Sequence, residues 1–179
     1  RQLTALACEF YVPGEPEDVA ETLLELIARC ESVLRGVGGH VTRTPGGLVT
    51  YFGYPVAQED AARRAVTGAL ACRQALGELQ ASGALAGPLP VQIGLGVHTG
   101  MVLSSVDDDI PDAGGRVARL ALLLGAMSGA SGVVVSETIL RRLGPAFCAE
   151  AIGELDDRAG GLKMQAFLVN AATVQERAD

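Results

Sequence analysis

Apolar positions along this chain shift between strand-like and helix-like spacing several times, and each shift marks an element. Leu3–Phe10 (LTALACEF) is a mostly apolar run of strand length that ends on Glu9 and Phe10. YVPGEPED follows, with Pro and Gly that require a turn and acidic residues that suit a helix N-terminus. From about Glu17, the residues Val19, Leu23, Leu26, Ile27, Cys30 and Leu34 recur at helical spacing and predict one apolar stripe, which Gly36, Gly38 and Gly39 end. His40–Arg43 and Leu48–Phe52 read as two short strands joined through Thr44–Gly47, a hairpin with Gly at its turn. Gln58–Leu79 reads as a second long helix. Its buried face, Ala62, Ala65, Val66, Ala69, Cys72 (or Arg73), Leu76 and Leu79, is rich in small residues.

A Gly/Pro-bearing linker, Ser82–Pro90, leads into VQIGLGVHTG and MVLSS, which predict a second hairpin turning near Thr99–Gly100. The acidic patch Asp107–Asp109 precedes a helix with the stripe Val117, Leu120, Ala121, Leu124 and Met127. GASGVVVS is a turn and strand, Glu137–Leu143 a short helix, and Phe147–Ile152 and Leu162–Val169 are two further strands. Two hairpins among alternating strands and helices predict an α/β (α+β) sandwich with a mixed, largely antiparallel sheet and packed helices, not a wound βαβ sheet. One domain over 1–170 with a frayed tail over 171–179 fits a chain of 179 residues. GLGVHTG lacks the third glycine of a dinucleotide-binding turn and precedes a strand.

Composition narrows the function classes. With 14 basic and 21 acidic residues the net charge is −7, which opposes nucleic-acid binding, and the absence of Trp removes stacking platforms. No apolar run reaches the ~20 residues of a membrane span, so no membrane contact is expected from this segment. The chain opens at Arg1 without an initiator Met, which reads as a domain cut from a longer multidomain protein. A cytoplasmic place is expected, including as the cytoplasmic part of a membrane-anchored protein. Cys8, Cys30, Cys72 and Cys148 are widely spaced within apolar patterns and read as buried free thiols of a reducing compartment. His40 and His98 are too far apart in sequence to suggest a metal site; His98 reads as satisfying backbone near the predicted hairpin.

Taken in order, RQLTALACEF, GGHV with YFGYPVAQEDAARRAV, GLGVHTGMV, RVARL, SGVVVSETILRRLG and a late LK resemble the catalytic domain of the class III adenylate/guanylate cyclases, in the bacterial branch, over roughly Arg1–Val169. The resemblance implies a ferredoxin-like core and attack of a ribose 3′-hydroxyl on the α-phosphate of ATP or GTP. It implies two metal ions, Mg²⁺ or Mn²⁺, held by two Asp. It also implies active sites at a dimer interface. One subunit supplies the metal carboxylates; the other supplies a purine-reading pair, a transition-state Asn and Arg, and a phosphate-binding Lys.

Matched residue by residue, the metal half of that pattern is altered. Glu9 stands at the first Asp position, one methylene longer, which disturbs bridging at octahedral distances of about 2.0 to 2.1 Å. In the following loop Pro13 lacks an N–H and Glu15 and Glu17 repel phosphate. Thr44-Pro45-Gly46-Gly47 replaces the turn carrying the second Asp, one residue shorter and without a carboxylate. The complementary half keeps more: Arg43 at the basic purine position, Asp108 (or Asp107) as its acidic partner, Arg119 at the transition-state position with Gly115 in place of Asn, and Lys163 at the phosphate position. Each has a plainer alternative, with Arg43 a solvated edge charge, Asp107–Asp109 a hydrophilic loop and cap, Arg116 and Arg119 solvating the helix, and Lys163 a surface lysine. A carboxylate closing an apolar strand wants a partner, which Arg43 or Arg119 could provide for Glu9 when no nucleotide is present.

The resemblance with these departures implies a degenerate cyclase-homology domain, inactive alone, that serves as a signalling or dimerisation module. Its alternatives are the metal-free half of a heterodimeric cyclase, or a sensor of a nucleotide or other small ligand in the old cleft. A homodimer, or a heterodimer with a cyclase domain, is the expected assembly. No cofactor is expected, and Mg²⁺ or Mn²⁺ only with residual activity.

Overall fold

Strict alternation in the first strand sends Leu6, Cys8 and Phe10 to one face and Leu3, Ala5 and Ala7 to the other, and both sets are buried. A strand covered on both faces belongs at the centre of a sheet. In the computed structural model, which describes residues 1–13, 17, 20–85, 91–103, 115–129 and 131–171, it is there. The elements are β1 (Gln2–Tyr11), α1 (Ala20–Gly36), β2 (His40–Thr44), β3 (Gly47–Phe52), α2 (Ala61–Ala81), β4 (Gln92–Met101), α3 (Arg116–Gly125), β5 (Val133–Ser136), α4 (Glu137–Leu140), β6 (Phe147–Asp157) and β7 (Leu162–Ala171). The sheet order is β2-β3-β1-β4-β5-β7-β6, with β4–β5 the parallel pair and the other pairings antiparallel. The predicted mixed, largely antiparallel α/β sandwich is therefore the fold, and β1 to β4 with α1 and α2 form its ferredoxin-like core.

Two layers of helix cover the sheet. Leu26, Cys30 and Leu34 of α1 and the small-residue face of α2 pack on Leu6, Cys8, Phe10, Ile93 and Leu95. On the opposite face α3 lays Val117, Ala118 and Ala121 over Ala5, Ala7, Val49 and Tyr51. Its approach to β4 is backbone on backbone: a Cβ added at Gly96 would lie 1.9 Å from the Ala121 carbonyl oxygen. Cys72 is fully buried, whereas Arg73 reaches past the core to donate from Nε to the Gly132 carbonyl at 2.9 Å and from Nη2 to the Ile93 carbonyl at 3.2 Å. Burial lowers the Arg73 pKa from its ordinary value.

Several expectations are corrected. No turn interrupts Thr99–Gly100: β4 pairs with β1 without a break from Gln2↔Met101 to Tyr11↔Gln92. Thr4 and Thr99 share a buried hydroxyl hydrogen bond of 2.7 Å, and Gly100 is small because Val117 Cγ2 sits 3.0 Å from where its Cβ would be. Glycine here marks helix packing, not a bend. Strand β6 continues beyond Ile152 to Asp157 because its ladder with β7 holds to Asp157↔Leu162 after a bulge between Ala151 and Gly153. Helix α4 stops at Leu140, short of Leu143, and α2 spans Ala61–Ala81. Cys8, Cys30 and Cys72 are buried free thiols; Cys148, on the edge strand, is only half-buried. Val19, Asp107–Asp109, much of Ser82–Pro90 and the tail beyond Ala171 lie outside the described residues. Among the described residues no helix is long and apolar enough to cross a membrane.

Candidate active-site cleft

Glu9 falls on the α3-facing side of β1, in step with Ala5 and Ala7, and stands in register with Gly47 of β3. The neighbouring hairpin is a two-residue turn: Thr44 pairs with Gly47, leaving Pro45 and Gly46 at the tip. Pro45 presets its own φ, the Gly47 N–H donates to Thr44 Oγ1 at 3.2 Å, and the Phe10 N–H donates to the Gly46 carbonyl at 3.0 Å. This last bond draws the turn against the end of β1. A Cβ at Gly46 would lie 2.3 Å from Glu9 Oε1, and one at Gly47 would lie 1.9 Å from the Cys8 carbonyl oxygen. The Glu9 carboxylate therefore rests over a bare glycine.

Helix α3 supplies the opposite wall. Glu9, Thr44, Pro45, Gly46, Val49, Ala118, Arg119 and Leu122 enclose a cleft of about 320 Å³, in which Glu9 is the one carboxylate among the described residues. Arg119 does not reach Glu9. It forks onto Asp157 at the end of β6, Nη1 donating to Oδ1 at 2.8 Å and Nη2 to Oδ2 at 2.7 Å. Asp157 is only 4% exposed. The Arg119 hydrogen bonds, then the Gly160 backbone N–H and the charges of Arg119 and Arg116, hold its carboxyl below the usual range against the opposing effect of burial. Asp157 in turn pushes the Arg119 pKa up. Gly160 caps the pair: a Cβ there would fall 2.4 Å from Asp157 Oδ2 and 3.2 Å from Arg119 Nη2.

The other predicted site residues lie apart from this cleft. Arg43 is opposite Leu48, whose side chain belongs to the α1/α2 core, and its Nε donates to Glu31 of α1 at 2.7 Å. Glu31 also accepts from Arg35 at 2.7 Å, and the Arg43 hydrogen bond is the main reason its carboxyl lies below the usual range. Arg43 thus faces the α1 layer. Gly115 precedes α3 in extended backbone (φ −65°, ψ 166°), and with Tyr51, Met101, Leu103 and Arg116 it borders a second cavity of about 540 Å³. Nearby, His98 Nδ1 lies 3.0 Å from Ser136 Oγ; burial, then the Arg116 charge, lower its pKa to about 4. Lys163 is exposed on β7 opposite Asp156 and makes no ion pair among the described residues. Asp107 and Asp108 lie outside those residues.

The structure brings together Glu9, Pro45, Gly46 and Arg119, and leaves Arg43 and Lys163 elsewhere. The expectation that Arg43 or Arg119 partners Glu9 is overturned, because Glu31 and Asp157 already occupy those two guanidinium groups. Among the described residues the Glu9 side chain makes no hydrogen bond or ion pair. Sequence reasoning did not single out Asp157. The sequence signal is an acidic pair closing an apolar-polar strand just before a Gly-Gly turn, which marks a strand end and does not name Arg119.

The described residues do not fit a pair of divalent ions: beside Glu9 the turn offers Gly46 and Gly47, which carry no second carboxylate. Among the described residues no three His, Cys, Asp or Glu gather in a way that could hold a metal.

Comparison with sequence-family models and with curated proteins gives no match. Solved structures do match over nearly the whole chain. The adenylyl cyclase CyaB from P. aeruginosa superposes with a TM-score of 0.79 at 20% identity, covering 97% of this chain and 95% of that one. The guanylate cyclase domain of RhGC from Catenaria anguillulae, in complex with GTP, gives 0.71 at 19% identity, with 96% and 97% covered. The non-canonical dimeric guanylyl cyclase domain of the RhoGC fusion protein from Blastocladiella emersonii gives 0.71 at 19% identity, with 96% and 97% covered. At these identities the likeness is one of fold: the chain has the architecture of adenylyl and guanylyl cyclase catalytic domains.

Proposed function

We propose that this cyclase-fold domain is catalytically inactive alone and works by association, as a dimerisation or regulatory module in signalling. The observation that carries the reading is the Thr44–Gly47 turn, which lays Gly46 against Glu9 and supplies no second carboxylate. With Glu9 the one carboxylate in the cleft among the described residues, two metal ions have no shared cradle, and the 3′-hydroxyl loses its activation. The clasp of Arg119 by Asp157 supports the same reading, since both Nη groups that would meet phosphate charge are engaged within the chain. The partner is a second copy of this chain or a cyclase domain; the non-canonical dimer of the RhoGC domain supports such association. Sedimentation of the purified domain tests the assembly: a concentration-dependent dimer, or co-elution with a cyclase domain, is expected, and a strict monomer that ignores both refutes it.

A second reading takes the chain as the metal-free half of a heterodimeric cyclase. Lys163 favours it, because it stays exposed and free of ion pairs among the described residues. Arg43, turned toward Glu31, and Gly115 weigh against it. Mixing with a metal-competent cyclase subunit and measuring cyclic nucleotide decides between the two: activity above that of the partner alone supports the second reading, and unchanged activity removes it.

A further inference from the structure

We infer that the cleft between the β2–β3 turn and α3 binds a small organic cation, an alkyl- or arylammonium, in place of a phosphate ester. Arg119 contributes little net charge to the cleft, because the buried Asp157 carboxylate takes both of its Nη groups. Glu9 carries the remaining charge. Among the described residues it has no partner, and it stands on the cleft wall with only a glycine beneath its carboxylate. An anionic ligand would meet Glu9 directly and would find the Arg119 charge already neutralised by Asp157. A divalent ion would find one carboxylate where it needs several oxygens. A monovalent ammonium needs one counter-charge, and its tail needs an apolar wall, which Val49, Ala118 and Leu122 provide. The volume of about 320 Å³ suits a ligand of one ring or a short chain.

The inference rests on the reading that phosphate recognition is lost here. Cyclic-nucleotide formation reports on that reading separately, so a failure of amine binding leaves it standing. The test is calorimetric and NMR titration of the full chain with benzylammonium, benzyl alcohol, inorganic triphosphate and MgCl₂. Benzylammonium is expected to bind at least about tenfold more tightly than benzyl alcohol, with chemical-shift changes centred on Glu9, Gly46 and Leu122. Glu9→Gln is expected to abolish that preference. Leu122→Gln, at an exposed position of the wall, is expected to weaken both ligands alike. Equal binding of benzylammonium and its alcohol, preference for triphosphate or Mg²⁺, an unchanged preference in Glu9→Gln, or no benzylammonium binding would each overturn the inference.

Discussion

Placing a carboxylate at the turn puts the account of the cleft under load. Gly46 is absent from the glycines with positive φ, so Gly46→Asp asks for no forbidden backbone. The new Cβ lands 2.3 Å from Glu9 Oε1, and because that atom ends a flexible side chain, Glu9 swings aside. Two carboxylates then share the cleft about 4 Å apart. At that separation like charges repel by about 1 kcal/mol in bulk water and about 4 kcal/mol at an effective dielectric of ~20, so a half-exposed turn loses ~2 kcal/mol. For a domain of this size that lowers Tm by about 4–8 °C at pH 7. One of the two carboxyls has its folded pKa raised above its unfolded value. The penalty is therefore absent below the unfolded carboxylate pKa of about 4 and grows as pH rises through the folded one. Thermal unfolding followed by circular dichroism at pH 4 and pH 7, with and without millimolar Mn²⁺, measures this. The variant is expected to match the parent at pH 4, to fall below it at pH 7, and to recover with Mn²⁺ while the parent does not respond. A variant as stable as the parent at pH 7, or an equal Mn²⁺ response in both, refutes the reasoning.

Gly47→Asp, one residue on, places its Cβ 1.9 Å from the Cys8 carbonyl oxygen and is expected to destabilise by ~2 kcal/mol or more, with no metal rescue, in urea unfolding. Gly96→Ala meets the Ala121 carbonyl oxygen at the same distance of 1.9 Å and is expected to cost about 1–3 kcal/mol by the same measurement; a neutral result would mean that α3 does not lie on β4 as described. Asp157 has a depressed folded pKa, so its contribution is present above the unfolded carboxylate range and lost as pH falls through the folded value. Asp157→Asn is expected to flatten the acid limb of a stability–pH curve and to increase triphosphate binding by freeing Arg119; an unchanged acid limb contradicts the clasp. NMR titration of His98 is expected to give a midpoint of about 4, and one near the ordinary histidine value would place the ring in water.

The fold was legible because its signals are local and repeated. Alternation in Leu3–Phe10, helical spacing from Leu23 to Leu34 and glycine at the Thr44–Gly47 turn each point to one conformation, and all three agree with the sheet they build. The misread stretch, Thr99–Gly100, shows the limit: glycine permits both a turn and a close approach, and only the position of Val117 tells which. That the Thr44–Gly47 turn carries no carboxylate could be read directly from the sequence. Side-chain partners could not, because they depend on register and helix placement across long separations. Arg119 and Asp157 are 38 residues apart, and nothing local to either names the other. Arg43 was given a purine-reading role by its position in a motif; pairing with Leu48 turns it to the α1 face, where its Nε donates to Glu31.

The central claim is that the turn across from Glu9 disables the chemistry while the cyclase fold persists. Its most direct test is cyclic-nucleotide formation by the isolated protein, with ATP and with GTP, in Mg²⁺ and in Mn²⁺, by mass spectrometry over hours. No cyclic AMP or cyclic GMP above a protein-free blank is predicted under any of the four conditions. Steady production that scales with protein concentration and survives repurification would contradict the account.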